Sequence, residues 1–411
     1  MDLTTHAYRS QIRLLLGTAL VMFVFTVVIG ILNGTDLVDF DREVLLTHVH
    51  VGTLAWITLS VFAATLWLFA DGPLSGAADG WARTGSWLAA GTVVVYNLTF
   101  LTTDGYLRPV VGTVAALTIL GWFAWAVVRA RAAAGGVSVP MWGLLAALAT
   151  SVTGGVIGVL YGILIASRGD AKVLPDGGED AHPATMVVGF LVPVGMAVVE
   201  TWLRPDEART RASRAGFWQM ALLFLGGFTL MLGVLLDAVP LITLNLPFEI
   251  IAVGIFLKRN WASLRSVGWS AERPTPFLAA SSVALVWNLG MLVYLISKYA
   301  DDFDLAPTRL LLALDHMMFV GVLTNALFAQ LLAATATRAH VAAWADRVVF
   351  WAVNVGLVGF WFGLVLDEAW PKQVFTPIMG VGILLGVGVF LARLAGDRST
   401  TGAPPAPAAA S

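Results

Sequence analysis

Two histidines, His48 and His50, stand with only Val49 between them near the start of an apolar run, EVLLTHVHVGTLAWITLSVFAATLWLFAD, that extends from Glu43 to Asp71. A membrane-spanning helix takes about 20 apolar residues, and ionisable side chains inside one are rare and usually functional. Imidazole is a common ligand for metals and for haem iron. On a helix, residues two apart point roughly 200° away from each other. The pair therefore cannot chelate one metal, but it can serve two neighbours on opposite sides of its helix. Gly52 lies four residues beyond His48 on the same face, and its missing side chain leaves room for a flat group against the backbone. His182 and His316 fall in later apolar runs. With His48 or His50 they make a candidate shared metal or haem site. His6 and His340 sit beside charged breaks and read as surface residues.

The elements that must hold these side chains are membrane spans. The chain is 58% hydrophobic and 12% charged, against about 25% charge in a soluble domain, and its mean hydropathy is +0.83. Apolar runs between charged breaks predict about twelve helices, near 11–32, 43–70, 83–103, 107–128, 141–166, 182–203, 215–236, 239–257, 276–298, 307–333, 343–366 and 373–395. The least marked division is the turn Asp237 to Pro240, between the seventh and eighth. The N-terminal residues show no cleavable signal pattern, so the first run is expected to remain as a span. Residues 1–395 form a single transmembrane domain, and the Pro/Ala-rich tail 396–411 reads as disordered.

Charge asymmetry orients the spans. Basic residues from Arg9 and Arg13 through Arg129, Arg131, Arg209, Arg211, Lys258, Arg259, Arg338 and Arg393 fall on one side. Asp36, Asp39, Asp41, Asp104, Asp176, Glu179, Asp180, Asp301, Asp302, Asp304, Asp367 and Glu368 fall on the other. Both termini are thus expected in the cytoplasm. The second, sixth and tenth helices then all start outside, and His48, His50, His182 and His316 share the outer half of the membrane. The absence of cysteine excludes disulfides, thiolate metal sites, cysteine-ligated iron–sulfur clusters and covalent haem attachment. A net charge of −2 gives no sign of nucleic-acid binding.

Other intramembrane polar groups carry two readings each. Glu249, near the middle of the eighth helix, suits proton relay or a hydrogen bond across a helix interface. Arg309 and Arg108, at outer helix ends, suit the carboxylates of a cofactor or act as interface anchors. Met186, Met317 and Met318 are sulfur ligands or core residues. No internal repeat is evident in the sequence.

The segment His48–Val49–His50–Val51–Gly52–Thr53–Leu54–Ala55–Trp56 resembles the ligand helix of haem–copper oxidase catalytic subunits, above all the cbb-type branch. In that family the first histidine of the pair binds a high-spin haem and the second a low-spin haem. About twelve helices with both termini inside also match an oxidase subunit I-like bundle. The layout is similar to the NnrS family of haem- and copper-containing membrane proteins, which also carry an HxH pair early in the chain. The motif stands on the second helix here and on the tenth in the oxidases. A four-helix displacement of a pseudo-threefold bundle would make His182 the second low-spin ligand and put His316 near the copper-ligand helix. In another register His182–Pro183 begins the family's copper-site motif, and one haem sits between His48 or His50 and His316. The oxidase copper centre needs an adjacent histidine pair on the seventh helix, which here reads GFWQMALLFLGGFTLMLGVLLD. The redox tyrosine also lacks a counterpart.

The resemblance thus implies a multi-pass protein of a bacterial or archaeal cytoplasmic membrane, with one or two haem b groups and an incomplete copper centre. Electron transfer, or nitric oxide- or oxygen-related chemistry or sensing, is the expected role, with a redox partner or second subunit and a small gas ligand as companions. If it is an enzyme it is a haem-dependent oxidoreductase that does not reduce oxygen to water. The alternative is a proton-coupled secondary transporter using the intramembrane histidines and Glu249.

Overall fold

The computed structural model describes residues 3–396 apart from Asp104, Ala171, Val173, Leu174, Asp176, Ala271, Asp301, Phe303 and Asp304. Asp104, Asp176, Asp301, Asp304 and the tail from residue 397 therefore lie outside the described residues. The described chain forms twelve long helices and no strand. They are α1 (Arg9–Gly34), α2 (Arg42–Phe69), α3 (Gly76–Thr102), α4 (Leu107–Arg131), α5 (Val139–Arg168), α6 (Asp180–Leu203), α7 (Arg214–Leu235), α8 (Val239–Arg265), α9 (Pro274–Tyr299), α10 (Thr308–Ala334), α11 (Ala343–Leu366) and α12 (Ala369–Gly396). Eleven are long and apolar enough to cross a membrane, and α3 has the length, 27 residues. The protein is a multi-pass helical membrane protein.

Helix ends follow ordinary capping chemistry. The Asp41 side chain accepts from the Val44 N–H at the start of α2, 2.9 Å, and Ser138 and Ser213 open α5 and α7 in the same way. The narrow turn between α7 and α8 is real: Asp237 takes a left-handed φ of 49° there, and Pro240 starts α8, where a missing N–H is harmless. Two helices outrun their apolar cores. The third starts at Gly76 rather than near 83, carried by an Asp79–Arg83 pair one turn apart. The eighth continues to Arg265 rather than near 257, because Arg259 and Asn260 are held inside by Glu200 of α6.

Three helices are central. Over their apolar stretches α2, α6 and α10 are 94%, 78% and 89% buried, whereas the other candidate spans range from 22% to 56%. Around them the remaining nine form a ring in the order α1, α3, α4, α5, α7, α8, α9, α11, α12, closed by α12 against α1. The central helices also meet one another. The Trp56 indole N–H of α2 donates to the Thr324 hydroxyl of α10, 3.2 Å. A Cβ on Gly195 of α6 would stand 2.6 Å from Val322 of α10, so those two backbones need glycine to pack as they do.

Each central helix switches to the wider π winding for two turns: Val51–Thr58, Thr185–Leu191 and Met317–Thr324. Such winding replaces i→i+4 bonds by i→i+5 bonds and is frequent at functional sites. Carbonyls at or next to these stretches take hydroxyl donors from the preceding helix. Thr26 of α1 donates to His48 O, 3.2 Å. Thr150 of α5 donates to Gly189 O. Ser281 of α9 donates to Val322 O, 2.7 Å. The helices thus group as a threefold arrangement of a four-helix unit, α1–α4, α5–α8 and α9–α12, which no repeat in the residues announces.

Candidate histidine-pair sites

Counting back three residues from the start of each π segment gives His48, His182 and Leu314; counting back one gives His50, Ala184 and His316. The four histidines therefore occupy two equivalent positions repeated around the bundle. They do not gather at one point. They fall into two pairs, His50 with His182 between α2 and α6, and His48 with His316 between α10 and α2.

The first pair is the better defined. The rings of His50 and His182 lie nearly parallel, 15° apart in plane, with centroids 6.3 Å apart. Rings in face-to-face contact stand much closer, as His50 does over Phe100 of α3, at 4.3 Å. Two imidazoles bound through Nε2 at about 2.0 Å to one metal, each with its ring centre about 1.1–1.2 Å behind that nitrogen, stand with centres roughly 6.3 Å apart. The observed spacing equals that of two ligands on opposite sides of one metal, a distance also found between non-ligand rings such as Phe277 and Phe328. Tyr96 of α3 flanks the His50 ring at 5.9 Å. Arg108 of α4 lies within electrostatic reach of His50 and over the Phe100 ring at 4.7 Å.

All four histidines present the same nitrogen. The Nδ1–H of His48 donates to Thr26 O of α1 and that of His182 to Gly154 O of α5, each at 2.8 Å. The Nδ1–H of His50 and of His316 donate to Leu46 O and Leu312 O of their own helices, again at 2.8 Å. A carbonyl can only accept, so each Nδ1 carries the proton, and the lone pair of the neutral ring is on Nε2. No hydrogen bond reaches Nε2 of these four among the described residues. A ring fixed by a carbonyl at one nitrogen and open at the other is the usual state of a metal-binding histidine. Each pair joins one ring held by its own helix to one held by the helix before, as the repeat requires.

His48 and His316 interact electrostatically, but no ring contact joins them among the described residues; Phe360 of α11 lies against His316 instead, at 4.8 Å. The third position of the repeat, between α6 and α10, carries Ala184 and Leu314 and so offers no donor. Its flank is shut by the approach of Gly227 of α7 to the π segment of α6, where a Cβ would stand 2.4 Å from Gly189 Cα.

Gly52 is buried against Thr26, where a Cβ would meet only Cγ2 at 3.6 Å. His48 faces the same residue, through the bond from Nδ1 to Thr26 O. The glycines that give room to imidazoles are Gly30 of α1, whose Cβ would stand 3.1 Å from His48 Cε1, and Gly158 of α5, 2.8 Å from His182 Cε1. Arg309 donates to Leu364 O and Val365 O at 3.1 and 2.8 Å and pairs with Asp367 at 3.4 Å. It caps the C-terminus of α11, the anchor reading of that residue. Glu249 is buried on α8, a helix that carries neither histidine pair, and Asn245 Nδ2 donates to it at 3.4 Å. Met186 and Met317 pack against Gly154 and Gly321.

Sequence reasoning missed Thr26, Gly154, Gly30 and Gly158, which lie on helices without histidine. The signal that finds them is the repeat itself. No group of three or more His, Asp or Glu side chains able to hold a metal gathers at one point among the described residues. Comparison with protein-family models gives no match, and comparison with curated proteins gives no relative.

Proposed function

We propose that this chain is a membrane-embedded b-type haem protein with two haem positions, one at His50 and His182 and one at His48 with His316. The observation that carries the reading is the parallel His50–His182 pair at the span of two ligands on one metal. The lack of cysteine makes attachment non-covalent. The threefold arrangement of four-helix units supports the likeness to haem–copper oxidase subunit I and the four-helix displacement of the motif.

His50 and His182 would hold a haem that, when bound, would supply one-electron chemistry suited to electron transfer. The protein's part is to fix both rings. Gly154 and Thr26 hold the tautomer and the ring plane, and Phe100 and Tyr96 exclude water from one side of His50. Arg108 places positive charge near the first position, where it suits a haem carboxylate. The looser His48–His316 pair is the place for a small gas ligand such as nitric oxide or oxygen. No copper site is assigned.

The test is the absorption spectrum of the purified protein, oxidised and dithionite-reduced, with a pyridine haemochrome assay for stoichiometry. Two haems per chain are expected. His50→Ala and His182→Ala each remove the same one; His48→Ala and His316→Ala each remove the other. Carbon monoxide should perturb the second set alone. A colourless protein from haem-sufficient cells would refute the proposal and favour proton-coupled transport, tested with Glu249→Gln. A crossed pattern, with His50 and His316 lost together, would refute the pairing.

A further inference from the structure

On the face that carries the chain termini, α2, α6 and α10 part around a small cavity. Ala64, Trp67, Val198, Trp202 and Gln330 of the central helices line it, together with Leu16 of α1. Trp67 and Trp202 close its mouth edge to face, 5.3 Å apart. The segment before α1 lies behind Trp67. Leu3 and Tyr8 are fully buried, and the His6 ring stacks on Trp67 at 5.6 Å, 16° from parallel. The Tyr8 hydroxyl donates to Asp79 of α3, 2.7 Å, and accepts from the Leu74 N–H, 2.9 Å.

The state of His6 in this contact is set by its neighbours. The Tyr8 backbone N–H donates to His6 Nδ1, 3.1 Å, so Nδ1 is the unprotonated nitrogen and Nε2 carries the hydrogen. A second proton can go only onto Nδ1, where the Tyr8 N–H already points. Protonation therefore replaces a hydrogen bond by two opposed donors. It also sets a cation near Arg209 of the α6–α7 loop. Arg209 is paired with Asp71 of the α2–α3 loop, 2.9 Å, and Asp71 is the carboxylate that faces His6. Asp79 is engaged by Tyr8 and Arg83.

We propose that residues 3–8 are a pH-sensitive clasp on Trp67, at the edge of this cavity, closed while His6 is neutral and released when it is protonated. Burial, with Arg209 second, holds the His6 imidazole below its ordinary value of 6.5. Closed, the segment binds fewer protons than when released, so its stability is full above that value and declines as the pH falls below it. Release bares the Trp67 ring, one of the side chains that line the cavity.

The chain has no cysteine, so a nitroxide at Ala7→Cys, an exposed position beside His6, reports on this segment alone. The full chain in lipid nanodiscs would be compared at about pH 8 and about pH 5, spanning the histidine range. An immobilised spectrum that turns mobile on acidification is expected. In His6→Phe, which keeps the stack and cannot be charged, the label stays immobilised at both pH values. In His6→Lys it is mobile at both. A label immobile throughout in otherwise wild-type protein would overturn the proposal. So would a transition that survives in His6→Phe, which would place the titration on a carboxylate. None of these readouts depends on haem.

Discussion

Gly158→Ala separates a glycine that serves an imidazole from one that only serves packing. The added methyl would stand 2.8 Å from His182 Cε1 and 2.9 Å from Nδ1. Ordinary carbon contacts begin near about 3.5 Å, so the ring must retreat by roughly 0.7 Å. The retreat stretches the 2.8 Å bond from Nδ1 to Gly154 O to about 3.5 Å, beyond good hydrogen-bond geometry. Disturbing the partner that orients a ligating histidine typically lowers metal affinity about 10- to 100-fold, or about 1.4–2.7 kcal/mol. Helix propensity works the other way, because alanine in a helix interior is better than glycine by roughly 0.5–1 kcal/mol. Loss of ligand with no loss of helix is therefore the specific expectation. Gly52→Ala is the matched control, since its methyl meets only Thr26 Cγ2 at 3.6 Å. The assay is haem content by pyridine haemochrome, with the rate of haem loss to an excess of a haem-free acceptor protein. A Gly158→Ala protein that retains haem as the parent does, or a Gly52→Ala protein equally impaired, would refute the reasoning.

Two further predictions concern charge. Glu200→Ala removes the carboxylate that holds Arg259 at 2.7 Å and accepts from Gln219 at 2.8 Å. Breaking one partner of a buried pair costs about 3–5 kcal/mol, and the low end is expected because Glu207 lies 3.9 Å from Arg259. Thermal unfolding in detergent should show a drop of several degrees, smaller in Glu200→Gln; an unchanged midpoint would contradict the buried-pair account. On the opposite face, Lys372 at 2.6 Å and Gln373 at 3.0 Å hold the Asp36 carboxyl below its usual range. That contribution is present above the ordinary carboxylate value and lost as pH falls through the lowered one. Lys372→Met should remove a small acid-side step in stability, seen in melting curves below about pH 4. A step of unchanged size would assign it elsewhere.

The helix count and most boundaries were legible because a membrane span has a composition no loop shares. Which helices are central was not legible, since lipid and neighbouring helices select for the same apolar side chains. Burial distinguishes α2 from α1, yet both read as continuous apolar runs. Arg259 and Arg393 counted toward the positive side of the charge pattern as loop residues would. The structure buries Arg393 on Asp346 at 2.9 Å and turns the half-buried Arg259 inward onto Glu200 at 2.7 Å. The i, i+2 spacing of His48 and His50 sets the two rings against different neighbours, Thr26 and Phe100. The repeat was silent because its three copies share backbone geometry, not residue identity.

The threefold build lets the chain act as its own control experiment. Three windows, His48–Val49–His50, His182–Pro183–Ala184 and Leu314–Asp315–His316, sit at one structural address. Where they agree, as in the π winding that follows, they show what the architecture demands of any occupant. Where they differ, they show what a particular address was fitted to do. A substitution in one window can thus be judged by whether another already carries it. Alanine at position 50 and leucine at position 48 are both accepted elsewhere in the same molecule. Exchanging them in should leave the bundle standing and subtract only the chemistry.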